Sequence, residues 1–391
     1  MTADDRRIVV IGAGVVGLSV GYSLMKRGAK NVVITDREHV AAGSSALSVG
    51  MVETQFFDPV DVHARVLGRE MIDRLVADHE LHFVRNGFLR PTTKNEHVEL
   101  FERSVEVQRD FGVDDARVLT AQEIAEVAPP VDTSNLVAGL WRPSDGYLDG
   151  YLYASLLARL TTSLGGRIAQ QHRLVGAEKN SAGCWQLSFE GKPGMEADVV
   201  VNAAGPWADS VAELLGSTVE VKPERHQAVT IELGSTPDWR LPCVVEYVPG
   251  STEDGLSLRH EGTHQLFACL HNERSVYPRT DPTECNPRAD EAFIEAIAEL
   301  IMDRCPSLDE CGLGHGWAGL YPMTPDGYPI VGSTSSDPSL VHVVGGGGSG
   351  IQLSTAMGEV GADWVLDGKS TLLTDGELWH PERASLSATG R

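Results

Sequence analysis

At 391 residues the chain is long for one hydrophobic core, so two domains are expected. Hydrophobic residues at 42% and charged residues at 22% exclude a disordered or fibrous chain and leave a soluble globular one. The 55 Asp and Glu against 32 Lys and Arg give a net charge of −23, which repels a phosphate backbone and excludes nucleic acid as an expected partner; the acidity reads as a solvated surface.

A short charged stub opens the chain, too short for a signal peptide, and no later run approaches the ~20 apolar residues that a spanning helix needs. A cytoplasmic protein with no transmembrane segment is therefore expected. Ile8 to Ile11 is an apolar, β-branched run suited to a strand buried on both faces, and it stops at Gly12-Ala13-Gly14-Val15-Val16-Gly17. From Val15 to Leu24 the apolar spacing suits a helix packed on a sheet, closed by Lys26-Arg27-Gly28, and Val32 to Thr35 is a second strand that ends on Asp36. This order has a physical reason. Gly12 allows a tight turn, Gly14 lets a pyrophosphate approach the backbone, and Gly17 lets helix and strand pack closely, with the anion on unpaired N–H groups at the helix start. Asp36 stands where an acid accepts hydrogen bonds from an adenosine ribose. The expectation is a dinucleotide site, against an ordinary glycine-rich strand-to-helix turn.

His39 to Gly50 is rich in small residues, suited either to a large flat ligand or to a plain loop. Val60 to His79 reads as a helix, Phe83 to Leu89 as a strand, Glu96 to Phe111 as a charged helix, and Thr120 with Glu123 as a capping box. The block from about 80 to 145 reads as a different domain inserted into the first. A helix over Tyr153 to Leu164 and strands near His172 to Val175 and Trp185 to Phe189 follow. Another buried strand then runs into Asn202-Ala203-Ala204-Gly205, where backbone is again set to come close to something. Pro223 to Glu232, Leu241 to Tyr247, Gly255 to His260 and Gln265 to Leu270 form an antiparallel signature without helical crossovers. Arg288 to Arg304 is an alanine-rich helix. After a strand at Leu340 to Val344, Gly345 to Gly350 opens a last helix over Ile351 to Leu366, so that one long ligand can lie between two glycine-rich junctions.

The six cysteines form no CxxC pair and read as free thiols of a reducing compartment, with a bridge between Cys305 and Cys311 left open. His260 and His264 have metal-ligand spacing, but on a strand that spacing sets them far apart, so no metal is expected. No Ser-His-Asp or Cys-His nucleophile signature stands out.

Taken together, VVIGAGVVGLSVGYSLMKRGAKNVVITDR, DGYLDGYLYASLLARL, VVNAAGPWA, GWAGLYPMTPDGYPIVG and VVGGGGSGIQLSTAMGEV resemble the D-amino-acid-oxidase-type flavoproteins. The likeness is to the branch holding sarcosine oxidase beta subunits, glycine oxidase and dimethylglycine dehydrogenase, and it runs from residue 8 to about 366. It implies an α/β fold: a Rossmann-like FAD-binding domain of glutathione-reductase type over 1–80, 146–222 and 315–391. An α+β substrate domain on an antiparallel sheet would be inserted over 81–145 and 223–314. The cofactor implied is FAD, held non-covalently. Gly12, Gly14, Val15, Val16 and Gly17 would cradle its pyrophosphate, Asp36 and Arg37 the adenosine ribose, and backbone at Val175 the adenine. Gly43, Ser44 and Ser45, with Gly346, Gly347, Gly348, Ser349, Gly350, Ile351 and Gln352, would flank the isoalloxazine. Ala203, Ala204, Gly205, Trp207 and Gly319 complete the expected cofactor contacts.

Departures from the family pattern carry information. Tyr321 stands where glycine oxidases carry an arginine that clamps the substrate carboxylate, and Gln352 where monomeric sarcosine oxidases carry a lysine. Gly319 and Leu47 stand where relatives tether the flavin through cysteine or histidine. The substrate-side candidates are then Tyr321, His226, Arg225, Arg259 and Trp317, with His260 beside them. The implied reaction is oxidation of a small secondary, N-methylated or cyclic amine or amino acid to an imine, with oxygen, a quinone or an electron carrier as acceptor. Two other readings stay open: an FAD-binding subunit of a hetero-oligomer, and an FAD enzyme acting on a 2-hydroxy acid.

Overall fold

The computed structural model describes residues 4–249, 255–271, 281–308 and 310–387. Among these residues, a six-stranded sheet runs in the order Ile330–Thr334, Asp337–Val344, Val199–Asn202, Asp4–Ile11, Ala29–Thr35, Arg167–Ala169. All its neighbours are parallel except the Ile330–Thr334 edge. Burial of the central strand is what the apolar run Ile8 to Ile11 requires: Ile8 and Val10 are fully buried.

Helix Val15–Lys26 packs on one face of this sheet beside helices Gly150–Ser163 and Gly350–Asp367. Its contact with Gly350–Asp367 is close because Gly358 sits against Ser19, where a Cβ would come within 2.7 Å of the serine backbone. At the far end Arg27 bonds both Glu359 and Asp363 of the same helix. The opposite face is covered by a three-stranded antiparallel sheet, Leu174–Lys179, Trp185–Phe189 and Lys192–Ala197, whose Trp185, Leu187 and Phe189 pack with Val9, Ile11 and Val200.

An eight-stranded sheet is built from both expected inserts. Its order is Cys311–Met323, Lys222–Leu233, Gln265–His271, Gly255–Glu261, Cys243–Val245, Phe88–Thr92, Ala138–Arg142, Arg117–Leu119, with one parallel pair at Cys243–Val245 and Phe88–Thr92. Its long edge strand, Cys311–Met323, runs through the expected boundary near residue 315. Leu89, Val229 and Ile231 face a core closed by helix Glu291–Arg304, and the capping box at Thr120 forms as its residues require. The other face of this sheet turns toward the six-stranded sheet.

Two local expectations need correction. Phe83 to Leu89 is not one strand but two, Phe83–Val84 in a small sheet and Phe88–Thr92 in the large one. Gly87 makes the break: at φ +85° its missing Cβ leaves room for the Trp141 ring, which a Cβ would meet at 2.0 Å. The small-residue stretch after His39 is not all loop, since Ser44–Leu47 is a short helix. No disulfide joins the six cysteines, and Cys305 and Cys311 are not bridged to one another. The return from the first insert is fixed by Asp145, fully buried, which accepts from Arg69 (3.0 Å), Arg142 (2.9 Å) and the Thr54 N–H (3.2 Å).

His342, 1% exposed on the Asp337–Val344 strand, lies 3.4 Å from the Asn202 amide nitrogen and 3.3 Å from the Ser217 hydroxyl. Burial pushes its pKa down to about 4, from an ordinary value of 6.5. Between those values the unfolded chain takes up a proton that the folded chain refuses, so stability is lost as pH falls, on the order of 3 kcal/mol by pH 4. His342→Asn removes this titration. In urea unfolding, the stability advantage of the wild type over His342→Asn should shrink as pH is lowered from about 7 to about 4.5; an advantage constant over that range would contradict the burial.

Candidate active site

One cavity is bounded by the ends of the strands of the six-stranded sheet and by the inner face of the eight-stranded one. The first strand ends at Gly12, φ +114°, where a Cβ would lie 2.3 Å from the Ala203 carbonyl oxygen. Only glycine fits between these two parallel strands. Gly17 supports the same turn from behind, its would-be Cβ 2.0 Å from the Gly12 oxygen, and it does not line the cavity. Gly14 begins helix Val15–Lys26 without a side-chain cap, and Ser45 Oγ accepts from Val15 N–H at 3.1 Å. A helix start of this kind presents backbone donors and a positive dipole end to an anion.

Asp36 ties the turn to the second strand. Its carboxylate accepts from Ala13 N–H and Glu38 N–H, both at 2.8 Å, while also lining the cavity. Beside it the Arg37 guanidinium lies 3.8 Å over the Trp207 ring, and burial lowers its pKa. A Cβ on Gly43 would come within 3.5 Å of that ring. Trp207 buries its indole N–H without a partner, a donor awaiting an acceptor. Ala203, Ala204 and Gly205 line the cavity next to it.

At the opposite end lie Gly346, Gly347, Gly348, Gly350 and Ile351 with Ser44, Gly319 and Leu47. Gly348 is required by Tyr321, whose Cε2 a Cβ would meet at 2.6 Å. The Tyr321 ring stacks on His226 at 3.8 Å and 17°, and a further row, His271 and Tyr247, continues behind it. Trp317 donates its indole N–H to the Leu47 carbonyl at 2.9 Å and meets Phe267 edge-on at 5.2 Å. Burial holds this end neutral: His271 is pushed down to about 4, Cys269 up to about 12, and Tyr321 well above the usual phenol value.

Several expected residues lie elsewhere. Arg225 bonds Asp290 (2.7 and 3.1 Å) and the carbonyls of Asn286 and Arg288, and so holds the start of helix Glu291–Arg304. Arg259 is clasped between the Tyr147 and Phe267 rings, bonds Glu261, and donates to the Val49 carbonyl at 2.5 Å. Neither lines the cavity. Gln352 is buried against Glu53, whose N–H donates to its Oε1 at 2.8 Å, and Ser349 Oγ accepts from Arg65 at 3.0 Å. His260 accepts from the Leu241 N–H at 3.3 Å. Val175 is 48% exposed and points away, while His172, Arg173 and Leu174 line the cavity in its place. Cys269 and Leu174 are among the lining residues that sequence reasoning missed, as are His172, Arg173 and Gln227; alternation along the Leu174–Lys179 strand, which leaves Val175 exposed, would have turned Leu174 inward.

The cavity fits FAD. Backbone approach at Gly12, the uncapped helix start, an unpaired indole N–H and a glycine-lined far end are the features a long, flat, doubly charged dinucleotide needs.

Comparison with known proteins agrees. The family model described as FAD dependent oxidoreductase matches residues 7–364. The chain is 25% identical over 383 residues to mitochondrial dimethylglycine dehydrogenase of Homo sapiens, covering 94% of this chain but 43% of that protein, so it spans less than half the length of this relative. It is also 25% identical over 408 residues to FAD-dependent oxidoreductase domain-containing protein 1 of Bos taurus, covering 92% of this chain and 81% of that one. Among solved structures, L-proline dehydrogenase from P. horikoshii superposes with a TM-score of 0.85 at 23% identity over 97% of both chains. Glycine oxidase from Geobacillus kaustophilus gives 0.80 at 21% identity over 97% of this chain and 99% of that one. The turn at Gly12, the cavity it opens and the extent of the family match lead to one conclusion: the chain belongs to the FAD-dependent oxidoreductase family of D-amino-acid-oxidase type.

Proposed function

We propose that the protein oxidises a small secondary, N-methylated or cyclic amino acid to an imine, which water then hydrolyses. The observation that carries this reading is the neutral, aromatic end of the cavity: Tyr321 stacked on His226, Trp317 fixed by Leu47, and no thiolate. Bound FAD supplies a two-electron acceptor for hydride from the amine α-carbon. The chain's own residues then need to orient the amine and exclude water, not to attack it. The Tyr321 and His226 rings form the wall against which the substrate is held. His226, with Glu224 3.7 Å from its Nε2, is the group suited to keep the amine in its neutral form. Dimethylglycine and proline in the names of the similar proteins support an amino acid as substrate.

FAD is held without a covalent bond in this reading, because Leu47 and Gly319 offer no nucleophile at the family's tether positions. The FAD-binding part is assigned to 1–80, 146–222 and 315–391, and the substrate part to 81–145 and 223–314. With no lysine among the described residues lining the cavity, a quinone or carrier protein is the assigned electron acceptor in preference to oxygen. A cytoplasmic location rests on the unbridged cysteines alone; among the described residues no helix is long and apolar enough to cross a membrane.

The test is anaerobic bleaching of the flavin. Sarcosine, dimethylglycine or proline should bleach it while lactate leaves it oxidised; bleaching by lactate alone, or by none of them, would overturn the proposal. For the cofactor cradle, Gly12→Ala adds a strained φ and a clash with the Ala203 carbonyl. Together these should weaken FAD binding about 100-fold. Titration of apoprotein by flavin fluorescence measures this, and wild-type affinity in the variant would show the turn to be irrelevant to the cofactor.

A further inference from the structure

Arg90 lies on the Phe88–Thr92 strand and is 2% exposed. Its neighbour Leu89 points into the core under helix Glu291–Arg304, so Arg90 belongs to the inner face of the sheet, the face that carries His226 and Tyr321. One Nη donates to the Tyr247 carbonyl, and Nε is buried without any acceptor. Glu53, the carboxylate whose charge bears on it, is already occupied: Gln55 N–H and Gln352 bond it, and Arg65 stands 3.6 Å away. Arg90 is not itself among the residues lining the cavity, and two chains of contact lead from it to residues that are. Along the sheet, the Tyr247 ring lies tilted against His271, centroids 3.9 Å apart, and His271 neighbours the cavity-lining His226. From the flavin side, Glu53 bonds Gln352, next to the cavity-lining Ile351. A second unmet group sits against the same strand: Gln55 donates its amide to the Phe88 carbonyl at 2.8 Å and leaves its buried Oε1 without a donor.

A buried guanidinium keeps its proton and gains most from a carboxylate, which accepts two parallel N–H bonds from its fork. Leaving it on one carbonyl is costly unless a ligand supplies the anion. An acid group for Arg90 and an N–H for Gln55 are the two ends of an amino acid. We propose that Arg90 anchors the substrate carboxylate, in place of the arginine that Tyr321 replaces. This rests on the amino-acid reading above and names the residue responsible for preferring acids over plain amines.

The experiment uses the FAD-loaded protein and two unreactive probes, methoxyacetate and methoxyacetamide, followed by the shift they cause in the flavin spectrum. The wild type should bind the acid about 100-fold more tightly than the amide, as for a charge-assisted pair out of water. Arg90→Gln should bind the two alike, and Arg90→Lys should keep only part of the preference. A merely structural arginine would weaken both probes equally. Arg90→Lys retains the buried charge and carries the test if Arg90→Gln does not load FAD. Undiminished preference in the variants, equal weakening of both probes, or no preference in the wild type overturns the assignment. If amines fail to bleach the flavin while the acid preference is present and depends on Arg90, the anchor stands and the amine chemistry falls. If amines bleach it and the variants keep the preference, the chemistry stands and Arg90 is not its anchor.

Discussion

The approach of two parallel strand ends governs the molecule. Asp4–Ile11 and Val199–Asn202 finish side by side, and the backbone at Gly12 comes so near the Ala203 carbonyl that a Cβ would lie 2.3 Å from it. That closeness leaves the strand ends free of side-chain bulk and aims the start of helix Val15–Lys26 into the opening. Asp36 fixes the turn from the neighbouring strand, and Gly17 lets the helix settle against it. The rest of the six-stranded sheet, its helices and the small antiparallel sheet hold these two ends in register. A cavity for a dinucleotide follows from this backbone packing, with the Asp36 carboxylate holding the turn in place.

The far end of the cavity works by a different physics. Its wall belongs to a sheet whose strands come from both inserts, and burial keeps its titratable groups neutral: His271, Cys269 and Tyr321 each shift away from their charged forms. Such a wall suits a reaction in which a neutral amine gives up hydride. The cations near it are spent on structure, Arg225 on a helix start and Arg259 between two rings. Arg90 differs because its burial is not matched by a bonded carboxylate. The acid preference and the neutral wall are thus separable: one comes from a single guanidinium, the other from the aromatic row.

Local chemistry made the cofactor end readable from sequence. A β-branched run, three spaced glycines and an acid at the next strand end are tied together within forty residues, and each has one physical use. The Thr120 to Glu123 capping box was equally readable, for the same reason of short range. The substrate end was not. Arg225 and Arg259 look alike in sequence to any other strand arginine; what commits them is Asp290 in one case and two rings brought by folding in the other. Val175 was expected at the adenine, but alternation along its strand turns Leu174 inward instead. The break at Gly87 depends on Trp141, which pairs with Leu89 only once the sheet has formed. Arg90 gave no signal at all, since an arginine beside Pro91 in a short strand reads as an exposed edge. Its missing partner is a property of the fold.

The central claim is that the amino-terminal turn and the carboxy-terminal glycine run hold opposite ends of one FAD. A crystal structure of the FAD-loaded protein tests it most directly. The account predicts pyrophosphate density at the start of helix Val15–Lys26 and the isoalloxazine between Tyr321 and the Gly346 to Ile351 segment. Flavin density anywhere else, or the two ring systems reversed in that cavity, would contradict it.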